Sequence, residues 1–312
     1  MLSLFSAAHG LPYAVAGRRP PDPELFPNYM QNAQNLWLRF TEWWPHGDGR
    51  PATHPAALKG VVFVVPGLGE HTGRYDSVAL RLNREGYVAF SMDNQGAGGS
   101  EGERLYVERF EYFVDDVCAF VRFVQQRYPA LKGLPTFLLG HSMGGLISVR
   151  VAQRDPSPFR GVVLSGPALS LTNPPPSFVL PLGSFFAQWV PKLPIFSVDV
   201  SLISHNLPVF QFAMQDPFYA RVKLTARFTA EMLREQERAA SDIDKSTFPF
   251  LIVHGEDDQL CSLSKSKWFH EHAPSKDKHL VSYAGAAHEV LTEVCRNDVM
   301  NDVVKFINER AT

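Results

Sequence analysis

Gly140-His141-Ser142-Met143-Gly144 lies between two stretches of different pattern. The residues before it, Thr136-Phe137-Leu138-Leu139, are apolar and strand-like, and residues 146–152 after it are helix-like. Gly-x-Ser-x-Gly between a strand and a helix forms a sharp, strained turn that exposes the serine hydroxyl above a sheet. We therefore predict that Ser142 is a nucleophile. We also predict that both flanking glycines are required, because a Cβ at either position would clash.

The rest of the chain alternates between buried-strand and helical patterns. The continuous β-branched run at residues 61–65 is typical of a strand buried on both faces. Residues 108–128 carry apolar side chains at the spacing of an amphipathic helix. Further strands are predicted at 36–43 (an exposed early strand), 88–92, 161–165, 250–254 and 279–283, and further helices at 74–85, 263–272 and 298–309. This alternation predicts an α/β fold with a mostly parallel, doubly wound sheet.

One segment, residues 171–241, differs from this pattern. Between residues 174 and 215 the formally charged side chains are Lys192 and Asp199 alone, whereas aromatic side chains recur at Phe178, Phe185, Phe186, Trp189, Phe196, Phe210 and Phe212. Ordinary core is one interpretation, but the segment is far longer than a crossover needs. We predict an apolar helical cap at 171–241, inserted between core segments 23–170 and 242–312, with an acyl-chain channel beneath it.

Composition limits the partners. The chain has 312 residues and a formal net charge of -2, without a basic stripe, so no nucleic-acid partner is expected. Its three cysteines, Cys118, Cys261 and Cys295, are scattered, which favours free thiols in the cytoplasm. No cysteine–histidine cluster indicates a metal, and no cofactor is expected. Oligomeric state is left open.

The first 22 residues form a separate N-terminal extension. His9, Gly10 and Pro12 interrupt its apolar part, which argues against a secretory signal. Arg18 and Arg19 leave organelle targeting open, and a disordered extension is the alternative. No run of 18 or more apolar residues predicts a membrane-spanning helix. Peripheral membrane contact through the aromatic-rich cap is a further hypothesis.

A serine nucleophile needs a base, and the base needs an orienting acid. On an α/β scaffold of this kind the chain order is serine, then acid, then histidine. Asp257 and Asp258 both follow the strand at 250–254, so the pattern leaves two candidate acids. His288 follows the last strand in a loop of small residues and is the predicted base.

The developing oxyanion needs two backbone N–H donors. The residue after the nucleophile, Met143, supplies one. The loop after the strand at 61–65 is expected to supply the other from Leu68, because Gly67 and Gly69 allow its N–H to turn into the site.

These motifs together resemble the monoacylglycerol lipase group of α/β-hydrolases. The resemblance extends from about residue 26 to the C-terminus and is strongest at residues 67–75, 93–104, 140–145, 257–261 and 285–288. Two loops depart from the group's pattern: Pro66-Gly67 replaces His-Gly, and Gly96-Ala97-Gly98 replaces Gly-His-Gly. These departures put the fine substrate preference in doubt.

The resemblance implies roles for individual residues. It implies Ser142 as nucleophile, His288 as base, and Asp258 rather than Asp257 as acid, from the spacing Asp-x-Leu-Cys. The oxyanion donors are then Leu68 and Met143; Glu70 and Arg74 form an ion pair near the pocket, and Cys261 lies near the glycerol end.

The predicted function is hydrolysis of a monoacylglycerol, or a similar single-chain lipid ester, through an acyl-enzyme on Ser142. A lysophospholipase and a broad carboxylesterase are alternatives that use the same residues. A serine aminopeptidase is disfavoured because the apolar cap offers few acidic groups. A non-catalytic homologue that binds an apolar ligand is an alternative of another class.

Overall fold

The computed structural model describes residue 22 and residues 24–45, 58–172, 187–219 and 223–311. The predictions for residues 1–21 and for cap residues 173–186 lie outside these ranges. A sheet of eight strands forms the centre. The strands are β1 (Tyr29–Gln31), β2 (Trp37–Trp43), β3 (Gly60–Val65), β4 (Tyr87–Met92), β5 (Thr136–His141), β6 (Gly161–Ser165), β9 (Phe250–Gly255) and β10 (Lys278–Tyr283); β7 (Pro194–Phe196) and β8 (Leu224–Thr225) form a separate pair.

The strand order is β1-β2-β4-β3-β5-β6-β9-β10, and all strands from β4 to β10 in this order run parallel. Strand β2 runs antiparallel to both of its neighbours, β1 and β4. The mostly parallel α/β sheet predicted from the sequence is therefore confirmed. Connections leave β3 and β5 in opposite directions, which opens a crevice at their carboxyl ends. Val65 pairs with Gly140, so the loop after β3 lies directly beside the turn after β5.

Helices cover both faces of the sheet. They are α1 (Asp76–Arg84), α2 (Glu111–Arg127), α3 (Met143–Arg154), α4 (Leu207–Gln215), α5 (Ala226–Ser241), α6 (Leu263–His272) and α7 (Arg296–Asn308). One core cluster holds apolar side chains from α2, α3, α5 and α6, and the other those from α1 and α7. Because both faces are covered, every residue of β3, β4, β5, β6 and β9 is buried.

The early strand is less exposed than its pattern predicts. Leu38 and Phe40 of β2 are buried, and the Phe40 ring centroid lies 5.5 Å from those of Phe120 and Phe123 on α2. The prediction of an exposed strand was wrong for this face, because α2 packs across β2 as well as across the parallel strands.

The described part of the predicted cap contains β7, β8, α4 and α5. Helix α5 packs on core helix α3, where Arg150 contacts Glu235 at 2.5 Å and Gln153 donates to the Ala239 carbonyl. The cap boundaries at 171 and 241 remain a prediction. No helix in the described ranges has both the length and the apolar character that crossing a bilayer requires.

The turn between β5 and α3 explains its two glycines. Ser142 adopts φ 54° and ψ −119°, which is strained for a residue with a Cβ. A Cβ on Gly144 would lie 2.0 Å from the Val65 carbonyl oxygen, and one on Gly140 would lie 2.3 Å from the Gly144 carbonyl oxygen. The prediction that neither position tolerates a Cβ is confirmed.

Gly144→Ala is expected to lower the free energy of unfolding by about 3 kcal/mol, because the methyl group must push the end of β3 away from the first turn of α3. The matched control is Gly133→Ala, in a loop where a Cβ meets nothing within 4 Å and only φ 88° opposes it. That control is expected to lose about 1 kcal/mol. Urea denaturation measures both, and equal losses would show that the close approach of α3 to β3 carries no cost.

Candidate active site

Ser142 occupies the turn at the carboxyl end of β5. Its backbone N–H donates to the Ser165 carbonyl at 2.9 Å, and its carbonyl accepts from the Ala168 N–H at 2.9 Å. These bonds hold the strained turn against the segment that follows β6. The Ser142 side chain is half-buried and is in hydrogen-bond contact with the Cys261 thiol.

The candidate acid and base come together from the loops after β9 and β10. His288 Nδ1 lies 2.7 Å from Asp258 Oδ2, and both side chains are buried. The other carboxylate oxygen, Oδ1, accepts from the Leu260 and Cys261 N–H groups at 2.8 and 2.9 Å. The alternative acid, Asp257, is exposed. The geometry therefore places Asp258, and not Asp257, against the imidazole.

Burial and pairing act in opposite directions on this pair. Burial alone would raise the pKa of Asp258, but the charge of His288 and hydrogen bonds from His254 and His288 hold it far below its usual range. Burial alone would lower the pKa of His288, but the charge of Asp258 and the hydrogen bond to it raise that pKa above the ordinary value. An ionised carboxylate and a basic imidazole are what a proton-accepting histidine requires.

Ser142 and His288 line the same cavity. Among the described residues, no hydrogen bond joins the Ser142 hydroxyl to His288. Such bonds are often long in free enzymes and tighten when substrate binds. Rotation about the Cα–Cβ bond of Ser142 turns the hydroxyl away from Cys261, without any change in the backbone.

The two predicted oxyanion donors, Leu68 and Met143, lie on segments that meet at Ser142. Met143 is the first residue of α3, where N–H groups have no intrahelical acceptor. Leu68 follows Gly67, whose Cα lies so close to the turn that an added Cβ would be 3.3 Å from the Ser142 Cβ. Within the described ranges, no backbone or side-chain acceptor takes up the N–H of Leu68 or Met143. Both groups are therefore available to a bound oxygen.

A buried ion cluster lies beside the loop after β3 that carries Leu68, which we call the oxyanion loop for its predicted role. Arg74 Nε donates to Glu70 Oε1 at 2.9 Å, so the expected ion pair is present. Arg74 Nη2 also contacts both carboxylate oxygens of Glu289, at 2.6 and 2.8 Å. Glu70 Oε2 accepts from the Gly67 N–H at 2.8 Å and from the Tyr75 hydroxyl at 2.6 Å. The cluster thereby ties the start of the oxyanion loop to the residue after His288.

One guanidinium cannot fully compensate two buried carboxylates. Although burial opposes ionisation of Glu70, nearby positive charge and two hydrogen bonds lower its pKa to about 2. Burial raises the pKa of Glu289 to about 7, against the opposing charge of Arg74. The neighbouring His141, also buried, has its pKa lowered to about 4 and is neutral at physiological pH. Glu289 is therefore the carboxyl of this cluster that takes up a proton near neutrality.

The site opens into a cavity of about 360 Å³. Glu70, Tyr219 and Glu289 supply polar groups to its wall. Most of the remaining lining is apolar and includes Leu105, Leu171, Val198, Val200, Leu202, Ile203, Leu224, Met232 and Leu260. Among the described lining residues there is no lysine or arginine. Such a cavity accepts an apolar chain together with an uncharged polar group.

The oxyanion loop is also joined to the predicted cap. His71 Nε2 lies 2.6 Å from Asp216 Oδ2, and the His71 ring packs against Phe218 with centroids 5.6 Å apart. The Arg74 guanidinium lies over the Tyr219 ring, 5.0 Å from its centroid. Residues 216–219 thus contact the loop that carries Leu68 at two points.

Asp258, Cys261 and His288 also place potential metal-ligand atoms within 4.8 Å of one another. Both Asp258 oxygens already accept hydrogen bonds, and His288 Nδ1 is occupied by one of them. This pattern fits a hydrogen-bonded relay better than a metal centre, and the absence of a metal remains a prediction.

Sequence reasoning missed two residues of the site. They are His254, at the end of the predicted strand 250–254, and Glu289, directly after His288. Both are buried in the structure. The available signal was a titratable residue inside or directly after an otherwise apolar or small-residue run.

Replacing Glu289 tests whether Glu70 and Glu289 share the positive charge of Arg74. The folded-state pKa of about 7 lies above the reference value of 4.5, so the associated stability is complete below pH 4.5 and is lost as the pH rises through 7. Glu289→Gln cannot ionise and is expected to lose less unfolding free energy than the wild type between pH 5 and pH 8. Denaturant titrations at both values measure this, with Glu237→Gln as an exposed control. Parallel pH dependences of wild type and Glu289→Gln would contradict the assignment.

Comparison with known proteins places this geometry in a family. The profile described as serine aminopeptidase, S33, matches residues 56–294. Monoglyceride lipase from Rattus norvegicus is 34% identical over 306 residues, covering 96% of this chain and 97% of that protein. Monoacylglycerol lipase from Mycolicibacterium smegmatis is 30% identical over 257 residues, covering 82% and 90%.

A solved structure gives the same result. The crystal structure of a soluble variant of monoglyceride lipase from Saccharomyces cerevisiae, in complex with a substrate analog, aligns with a TM-score of 0.78 and 25% identity, covering 97% of this chain and 100% of that one. The resemblance to monoacylglycerol lipases predicted from the sequence motifs is confirmed. The chain belongs to the serine aminopeptidase S33 family of α/β-hydrolases.

Proposed function

We propose that this protein is a serine hydrolase that cleaves a monoacylglycerol into glycerol and a fatty acid. The observation that carries the proposal is the 2.7 Å contact between His288 and Asp258 on an apolar cavity that Ser142 also lines. The names of the rat and mycobacterial relatives support the choice of a monoacylglycerol. Ser142, His288 and Asp258 are the proposed nucleophile, base and acid.

In the first half-reaction, the Ser142 oxygen attacks the ester carbonyl carbon while His288 takes the hydroxyl proton. Asp258 holds the imidazole in place and stabilises its cation. The carbonyl oxygen becomes an oxyanion, which accepts hydrogen bonds from the Leu68 and Met143 N–H groups. Collapse of this intermediate breaks the ester bond, and His288 returns the proton to the departing glycerol oxygen.

In the second half-reaction, water cleaves the acyl-enzyme. His288 accepts a proton from water, and the resulting hydroxide oxygen attacks the acyl carbon. The second oxyanion occupies the same two N–H groups. Its collapse releases the fatty acid and returns the proton to the Ser142 oxygen, so the enzyme is regenerated.

The charges around the cavity favour an uncharged head group. Glu70, Asp199 and Glu289 line it, and the guanidinium of Arg74 is already bound by Glu70 and Glu289. Against the described lining residues, the phosphate of a lysophospholipid would face carboxylates without an available cation. This argues for a neutral ester over the lysophospholipase alternative, whereas a broad carboxylesterase differs only in how much chain the cavity accepts.

Ser142→Ala is expected to lower kcat by about 10⁶-fold, because the nucleophile is lost while the rest of the site remains. Turnover is measured with monoacylglycerols, a lysophospholipid, a triacylglycerol and an aminoacyl amide, together with labelling by a fluorophosphonate probe. A folded wild-type protein that is not labelled would instead support the non-catalytic, ligand-binding alternative.

The two aspartates provide a matched pair within the same experiment. Asp258→Asn is expected to lower kcat by about 10⁴-fold, because an amide no longer holds the required imidazole tautomer. Asp257→Asn changes an exposed carboxylate one residue away and is expected to retain wild-type turnover. The reverse ranking would overturn the choice of acid.

We also propose that residues 171–241 form a cap that contacts lipid surfaces from the cytoplasmic side. Trp189, Leu207 and Phe212 are 70%, 67% and 62% exposed, which is unusual for side chains of this size and polarity. Large apolar side chains of this kind insert into the interfacial region of a bilayer. Such contact would bring the cavity to its substrate. Targeting by residues 1–22 remains a separate prediction.

The double substitution Trp189→Asp with Phe212→Asp is expected to abolish most co-sedimentation with phosphatidylcholine vesicles. Two charged carboxylates then replace the aromatic rings that would insert into the bilayer. Leu80→Asp, at a 53% exposed position on core helix α1, is the matched control and should bind as the wild type does. Equal binding by all three proteins would contradict membrane contact through this segment.

A further inference from the structure

A second histidine contacts the carboxylate that orients His288. His254, the fifth residue of β9, places Nε2 3.1 Å from Asp258 Oδ2, the same oxygen that His288 Nδ1 contacts at 2.7 Å. The side chains of His254 and Asp258 are both fully buried. One carboxylate oxygen therefore lies between two imidazole rings.

The surroundings of His254 define its tautomer. Nε2 faces Asp258 Oδ2 and, at 3.1 Å, the Cys261 carbonyl oxygen, and both are acceptors that carry no proton. Nε2 must therefore carry the hydrogen and donate it. On the other side, Nδ1 lies 3.0 Å from the hydroxyl of Ser266, a fully buried residue on α6. The Ser266 hydroxyl can donate to Nδ1, so both ring nitrogens have a hydrogen-bond partner.

A hydrogen bond from His254 also spans the loop that carries Asp258. Its bond to the Cys261 carbonyl spans residues 254–261, and the Leu260 and Cys261 N–H groups bind Asp258 Oδ1 from within the same loop. The Asp258 carboxylate is thus fixed on both oxygens by groups other than His288. Its plane is set before His288 engages it.

We propose that His254 is a positioning residue for the proposed hydrolysis, and that it limits the basicity of His288 by sharing the charge of Asp258. A hydrogen bond to a carboxylate stabilises its ionised form and makes it a weaker acceptor for a second donor. With His254 donating, Asp258 stays ionised and aligned but binds the His288 imidazolium less tightly. His254 is not among the described residues that line the cavity, so its proposed effect acts through Asp258.

This role predicts two separable effects of removing the donor. His254→Met keeps an apolar side chain of similar length but has no N–H, so the carboxylate loses part of its alignment. We expect kcat to fall by about 10- to 100-fold with KM unchanged, the size of effect seen when hydrogen bonds that orient a ligating residue are removed. Asp258 then binds the imidazolium more strongly, so the acid limb of the kcat/KM profile moves to higher pH.

His254→Gln is the matched control. Its Nε2 amide group occupies a place similar to that of the imidazole Nε2 and can donate to Asp258. We expect it to retain most of kcat and the wild-type acid limb. The other charged or titratable groups around His288, namely Glu70, His141, Cys261 and Glu289, are unchanged in both variants. A general packing defect would lower activity without displacing the limb, so the displacement distinguishes positioning from structural support.

A readout without substrate separates this proposal from the proposed function, on which it rests. The proton between His288 Nδ1 and Asp258 Oδ2 is followed by NMR in resting enzyme, and its resonance is assigned by its loss in Asp258→Asn. In His254→Met it should move to lower field as that bond shortens, and in His254→Gln it should not move. Ser266→Ala removes the hydroxyl that holds His254 in one tautomer. It should move the resonance by an intermediate amount.

The NMR resonance and the acid limb together decide between the two proposals. An unchanged resonance and an unchanged acid limb in a folded His254→Met protein would overturn the positioning role, whatever the substrate is. A displaced resonance in a protein that hydrolyses no ester in the panel would uphold the contact while refuting the proposed function.

Discussion

The Asp258 carboxylate is the point on which the geometry of the site depends. The N–H groups of Leu260, Cys261 and His288 donate to it, and His254 Nε2 lies 3.1 Å from its Oδ2. A buried charge is tolerated only when such donors replace the lost water. These donors come from β9, from the loop after it and from the loop after β10. Satisfying one charge therefore brings three segments into the arrangement that His288 requires.

A second buried carboxylate, that of Glu70, organises the loop that carries Leu68. Glu70 binds the Gly67 N–H, Tyr75 and Arg74, so the loop that carries Leu68 is closed on itself. Glu289 then binds the same guanidinium from the residue next to His288. His288 and Leu68, the proposed base and one proposed oxyanion donor, are thus connected through Arg74. A change of charge in this cluster would therefore act on both His288 and Leu68.

Much of this architecture could be predicted from sequence, because the signals are local. Continuous apolar runs mark the central strands, and Gly140 and Gly144 mark a turn that no other residue fits. Chain order predicted His288, but only the family resemblance chose between Asp257 and Asp258. Contacts between distant segments carried no such signal. The His71–Asp216 bond joins residues 145 positions apart, and the exposure of β2 depended on where α2 would pack.

The link between His71 and Asp216 has a consequence for the timing of the reaction. If residues 216–219 swing outward to admit a long chain, the His71–Asp216 hydrogen bond and the Arg74–Tyr219 contact separate together. The loop bearing Leu68 would then lose its outer support while the passage is widest. Entry of the chain and polarisation of its carbonyl would then be successive events. The ester carbonyl would meet both the Leu68 and the Met143 N–H groups only after residues 216–219 had returned.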